Sequence, residues 1–189
     1  MKIPFFILTV FLFPLLSATV TAASKHGAPQ DPVRSACIHA SYPGLCLRML
    51  SSYSGSANTP RVLAQAAVKV SLSCARKLSS YLTTVTVTGK SKRERAAVSD
   101  CMEQVAKSVD ELSKTLGELR RLRGETFEFH MSNAQTWVNA ALTNKDTCLN
   151  EFEGVDGKKM IMSVAKVTSN ALYMINRLDG SQGRDQLNP

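Results

Sequence analysis

The stretch that decides the fold is Gln135-Thr-Trp-Val-Asn-Ala-Ala-Leu-Thr-Asn-Lys-Asp-Thr-Cys148. It reads as a helix that carries an apolar face and stops on a cysteine. Upstream, Asp100-Cys101-Met102-Glu103 opens another strongly periodic segment. In an antiparallel helix pair, the start of one helix lies beside the end of the next. A Cys101–Cys148 disulfide would therefore pin two neighbouring helices at one end. Closing a loop of that length stabilises by about 4 kcal/mol in the chain-entropy picture.

Working outward, four helical patterns follow one another. The first spans about Arg61 to Val87, with Val62, Ala66, Val70, Cys74, Leu78, Tyr81 and Val85 as its apolar face. The second is the cleanest seam: Val98, Cys101, Val105, Val109, Leu112, Leu116 and Leu119, with Gly124 as a stop. The third carries Phe127, Met131, Ala134, Val138 and Leu142. Gly154 and Gly157 then break the chain. The fourth uses Ile161, Val164, Thr168, Ala171, Ile175 and Leu178, and stops at Gly180. Four amphipathic helices on short connections predict an all-α, antiparallel up-down-up-down four-helix bundle.

Ahead of the bundle, Ala36-Cys37-Ile-His-Ala-Ser-Tyr42-Pro43-Gly44-Leu-Cys46 places a turn between two cysteines. A local Cys37–Cys46 staple would make this a small helical hairpin over 35–55, outside the main core. It is worth roughly 2–3 kcal/mol. Residues 54–60 form a Gly, Ser, Asn and Pro linker. Residues 24–34 and 181–189 are polar and expected to be flexible.

Residues 1–23 have the layout of a secretory signal peptide. Lys2 precedes an uncharged apolar run from Ile3 to Leu16, and small residues lead to Ala22-Ala23. A membrane anchor is the alternative, but the run is shorter than the ~20 residues a spanning helix needs. Removing it leaves a chain of single-domain length, 24–189. All five cysteines lie in that part, and an oxidising compartment favours pairing them. The odd one is Cys74, on the apolar stripe of the first long helix, either a buried free thiol or one that pairs between chains. No Asn-x-Ser/Thr acceptor occurs.

The formal charge is +8. In an exported protein this favours anionic polysaccharide, anionic membrane surface or acidic proteins over nucleic acid as partners. The densest cations are Lys90-Ser-Lys-Arg-Glu-Arg95 and Arg120-Arg121-Leu-Arg123. Motifs for chemistry are missing. There is no Cys-x-x-Cys, no Glu-x-x-His, no His-Glu-x-x-His and no Gly-x-Ser-x-Gly. His130 reads as a solvated residue at a helix start. Trp137 reads as a core or boundary side chain, with an exposed binding anchor as the alternative. Neither a catalytic centre nor a metal or cofactor is expected.

The blocks Cys37-x4-Tyr42-Pro43-x2-Cys46, Asp100-Cys101-x-Glu103, Thr136-Trp137-Val-x-Ala140-Ala141-Leu142-Thr143-x3-Thr147-Cys148 and Ser169-Asn170-Ala171-Leu172 together resemble the plant invertase/pectin methylesterase inhibitor family. The resemblance covers essentially the whole chain after the leader. It implies a four-helix bundle with an N-terminal hairpin, and the pairs Cys37–Cys46 and Cys101–Cys148. It also implies a secreted protein of the apoplast and cell wall that is not an enzyme. Such a protein binds a target enzyme, one to one, and covers its active-site cleft. This chain ends after the bundle and so resembles a stand-alone inhibitor.

The target implied is pectin methylesterase. Invertase inhibitors typically carry Pro-Lys-Phe before the third bundle helix, where this chain has Glu125-Thr126-Phe127. The run from Leu142 to Cys148 is similar to that of the pectin methylesterase inhibitors. Invertase on the same scaffold is the alternative, and a basic wall-binding protein for anionic pectin is a further one. By resemblance, the contacts come from the second and third bundle helices: Glu103, Lys107, Asp110, Gln135, Asn139, Thr143, Thr147 and Asn150. Glu103 and Thr147 match the family pattern. Lys107 stands where acidic or polar residues are usual, Asn139 where Ser is common and Asn150 where Asp is common. An Asn does not titrate, so it supplies none of the pH sensitivity of a carboxylate.

Overall fold

A computed structural model describes residues 31–53, 59–85, 91–151 and 155–185. Among them there are six α-helices, two 3-10 turns and no strand: α1 (Pro32–Cys37), α2 (Pro43–Leu50), α3 (Pro60–Val85), α4 (Lys92–Arg121), α5 (Phe127–Glu151) and α6 (Val155–Asp185). The signal-peptide reading of residues 1–23 lies outside the described residues. None of the described helices is long and apolar enough to cross a membrane.

The four long helices pack in chain order, and α6 closes the ring against α3. Neighbours run antiparallel. Arg61, at the start of α3, meets the last turn of α4. Cys101 of α4 is joined to Cys148 near the end of α5. Gln135, early in α5, bonds Asn176 and Asp179, late in α6.

The seam of α4 is buried as its periodicity predicts, from Val98 and Cys101 through Val105, Leu112 and Leu116 to Leu119. Its start is earlier than expected. Ser91 caps the helix with a reciprocal pair: its Oγ accepts from the Glu94 amide at 3.3 Å, and the Glu94 carboxylate accepts from the Ser91 amide at 2.8 Å. This satisfies two of the amides that a helix start leaves unpaired. Cys101 therefore lies well inside the helix rather than at its opening.

The buried face of α3 is rotated from the expected one. Ala64, Ala67, Val68, Ser71, Ala75, Leu78 and Leu82 are buried, whereas Val62, Val70, Cys74 and Tyr81 are half-buried. The face is rich in small residues, so α3 approaches its neighbours closely. Ser71 and Thr168 meet across the α3–α6 contact at 2.5 Å. The Thr168 hydroxyl donates to the Val164 carbonyl, so Ser71 donates to Thr168, and both buried hydroxyls are satisfied.

The glycines of α6 do not end it. Gly157 and Gly180 lie inside the helix, which continues to Asp185. A lone helical glycine costs only about 1 kcal/mol, and tertiary packing outweighs it. Residues 181–185 are thus helical rather than a loose tail, and residues 32–34 belong to α1. Gly124 does serve as a break. It has φ of 31°, a left-handed value that favours glycine, at the turn between α4 and α5.

The N-terminal hairpin is part of the main core, not a satellite. Val33, Ala36, Met49 and Leu50 are buried in one cluster with residues of α3 to α6. Asp31 caps α1 through the Val33 amide, and Pro43 opens α2. Cys37 and Cys46 are bonded to each other. Asn170, fully buried on α6, fixes the turn between them: its Oδ1 accepts from the Tyr42 amide at 2.9 Å and its Nδ2 donates to the Tyr42 carbonyl at 3.1 Å.

Candidate functional site

The Cys101–Cys148 bridge sits in a second apolar cluster with Leu78, Leu82, Val98, Val105 and Ile161, at the end of the bundle opposite the hairpin. From it, two grooves run along α5, one shared with α4 and one with α6.

On α4, Glu103, Lys107 and Asp110 are exposed and follow one another at helical spacing. Glu103 pairs with Lys107 at 2.7 Å, and Asp110 pairs with Lys114 at 2.6 Å. The hydrogen bond and positive charge of Lys107 hold the Glu103 carboxyl below its usual range, so it stays ionised in mildly acidic solution. The Lys114 ammonium also lies 4.5 Å from the centre of the Trp137 ring, which links α4 to α5 across the groove. Trp137 is half-buried at this boundary. Deeper down, Asn144 Nδ2 donates to Glu111 Oε2 at 2.7 Å and to Ser108 Oγ at 3.3 Å. Burial pushes the Glu111 carboxyl upward, with the Asn144 bond opposing it.

On α5, the expected contact residues divide. Gln135 Nε2 donates to Asn176 and Asp179 and so faces α6. Asn139 and Thr143 are exposed and line a cleft of about 260 Å³ with Tyr42, Met162, Lys166 and Ser169. Thr147 is exposed between Asp146 and Cys148, at the disulfide end of α5. Asn150 lies in the last turn of α5, and its side chain is outside the described residues. The eight expected residues therefore do not make one patch. Glu103, Lys107 and Asp110 lie along the exposed face of α4, whereas Gln135 bonds α6 and Asn139 and Thr143 line the α5–α6 cleft.

The sequence reading missed Lys114 and Asn144, which tie α4 to α5, and Lys166, whose ammonium lies 5.6 Å from the Tyr42 ring centre. The i, i+4 spacing of Asp110 and Lys114 was the available signal. His130 is another correction. It is not solvated but half-buried, with Nδ1 2.6 Å from Glu118 Oε2. Cys74 is an unpaired, half-buried thiol, and burial raises its pKa. Among the described residues no group of three His, Cys, Asp or Glu could hold a metal ion. Surface ion pairs, a half-buried Trp and short polar side chains thus lie along the outer faces of α4 and α5.

Residues 31–174 match the family model described as plant invertase/pectin methylesterase inhibitor. The chain belongs to that family. It is 48% identical to pectinesterase inhibitor 3 of Arabidopsis thaliana, over 94% of this chain and 93% of that one. It is also 35% identical to a 21 kDa protein of Daucus carota, over 89% of this chain and 93% of the relative. Among solved structures, a mutant form of a pectin methylesterase inhibitor from Arabidopsis aligns with a TM-score of 0.65 at 18% identity. That alignment covers 77% of this chain and 96% of the other. A second Arabidopsis pectin methylesterase inhibitor aligns with a TM-score of 0.58 at 19% identity, over 80% and 98% of the two chains. At these identities the two structures speak to the fold alone.

Proposed function

We propose that this protein is an inhibitor of pectin methylesterase, exported to the cell wall under the direction of residues 1–23 and acting by forming a one-to-one complex. The observation that carries the reading is near full-length 48% identity to a pectinesterase inhibitor. The surface is consistent with it. The two grooves along α5 offer exposed polar and charged side chains around a half-buried Trp137, on helices that the core and the Cys101–Cys148 bridge hold rigid. A rigid surface loses little entropy on docking, and a standard interface of about 1,600 Å² needs no more area than such a bundle face provides. Inhibition would be steric: the face covers the cleft in which the esterase holds its polysaccharide.

Titration of the oxidised protein into a plant pectin methylesterase and an acid invertase, in parallel at acidic pH, tests this. Esterase activity should fall linearly to an equivalence point near one inhibitor per enzyme, with invertase untouched. Unimpaired esterase at micromolar inhibitor across several isoforms would refute the reading. Loss of invertase activity alone would reassign the target.

A further inference from the structure

The strongest feature outside the α5 grooves is on the far side of α4. Here α3 and α4 enclose an open groove of about 740 Å³. Its floor is the buried pair Leu72 and Leu116, and its walls carry four exposed cations: Lys69, Arg76 and Lys77 from α3, and Arg120 from α4. Ser73, Ser80 and Ser113 lie between them; Ser80 and Ser113 donate to the Arg76 and Val109 carbonyls, which leaves their oxygens to accept hydrogen bonds.

The charge there is uncompensated. Among the described residues no carboxylate lines the groove. From Pro60 to Val85, α3 carries no Asp or Glu at all. α4 has several, but Glu103 and Asp110 are paired to lysines of their own helix, while Glu111 and Glu118 reach α5 through Asn144 and His130. These four acids of α4 are thus engaged away from the groove, where Arg120 is the α4 cation beside α3. None of the four groove cations makes an ion pair among the described residues. Side chains left this way cost the fold self-repulsion and gain nothing within it.

We infer that the α3–α4 groove binds a polyanionic chain, and that this chain is de-esterified polygalacturonate. The fit is chemical. Lys69 to Ser80 spans about 16 Å of helix, long enough to follow several sugar residues of an extended strand. Arginine and lysine match carboxylates, the serines match sugar hydroxyls, and Leu72 and Leu116 give a partly apolar floor for a sugar ring. The identity of the sugar rests on the function proposed above, because demethylation by the esterase is what exposes carboxylates on pectin. The groove and the α5 surface lie on different sides of α4. The protein could therefore hold the product of the esterase while it blocks the enzyme, which would concentrate the inhibitor where demethylation has occurred.

Fluorescence anisotropy with an end-labelled, unesterified galacturonate oligomer tests this without any esterase, so its outcome is independent of the inhibitor reading. Wild-type protein should bind at low salt and lose most of its affinity near 0.5 M NaCl, where screening shortens to a few ångströms. The double variant Arg76→Glu/Lys77→Glu should bind at least tenfold more weakly. A charge-matched control on exposed α6 positions, Lys158→Glu/Arg177→Glu, should change affinity less than about twofold. Melting curves establish that both variants are folded. Esterase inhibition by the groove variant should remain at the wild-type level. No binding, equal binding of a fully methylesterified oligomer, or equal losses in the two variants would overturn the assignment. So would capture by anionic phospholipid vesicles without binding of the oligomer.

Discussion

Single side chains set the finest level of this fold, and Asn170 is the clearest case. It is fully buried and satisfies both the amide and the carbonyl of Tyr42. In the sequence it stood out only as part of a family-like block, because nothing local indicates that a helical Asn will clamp a turn far away in the chain. Asn170→Ala removes two hydrogen bonds and leaves the part-buried Tyr42 amide without its partner, while the Tyr42 carbonyl keeps the Cys46 amide, so unfolding in urea should show a loss of about 2 kcal/mol. A change below about 0.5 kcal/mol would mean the clamp contributes nothing. Glu111 makes a pH prediction. Burial raises its pKa in the fold, so the folded state binds its proton more readily than the unfolded chain does. Stability from this group is full below the unfolded pKa and is lost as pH rises through the folded one. Glu111→Gln keeps the acceptor for Asn144 and should raise stability at neutral pH by about 0.5 kcal/mol after allowance for solvent screening. The gain should shrink to nothing below the carboxylate range, which melting curves at a series of pH values would read.

At the level of elements, the termini of α4 explain why some of the helix limits were legible and others were not. Ser91 and Glu94 form a capping box that can be read directly from Ser-x-x-Glu. Apolar periodicity alone placed the start too late, because the first turns of α4 project beyond the core. The other terminus was not legible. Arg61 of α3 donates from Nε to the Leu119 carbonyl at 3.1 Å, from Nη2 to Arg120 at 2.9 Å and from Nη1 to Leu122 at 2.9 Å. A long-range guanidinium here satisfies carbonyls that a helix end leaves bare and complements their negative pole. Arg61→Ala should cost about 2 kcal/mol and speed amide exchange in the last turn of α4 without altering α6. Unchanged exchange there would show that the clasp is incidental. The face of α3 was misjudged for a related reason. The larger apolar residues drew the stripe, whereas close helix packing selected the alanines and Ser71.

Over the whole molecule, the fold class and both disulfides were legible, since cysteine position and helix period constrain each other. The bridge between Cys101 and Cys148 closes a loop with a sequence separation of 47. Cys148→Ser should lower stability by about 4 kcal/mol and leave Cys101 open to alkylation. An unchanged melting temperature would contradict the bridge. The contact surface was only half legible. A helical stripe can be read from sequence, but which groove it borders depends on how each helix is rotated in the bundle. That is why Gln135, Asn139 and Thr143 face α6, away from Glu103, Lys107 and Asp110.

The most direct test of the account compares esterase inhibition by the wild-type protein, by Thr147→Arg at the exposed disulfide end of α5, and by Arg76→Glu/Lys77→Glu on α3. The wild type and the α3 variant should inhibit stoichiometrically, and Thr147→Arg should inhibit at least tenfold more weakly in a protein that melts normally. Full inhibition by Thr147→Arg together with loss in the α3 variant would place the inhibitory face on the wrong side of α4.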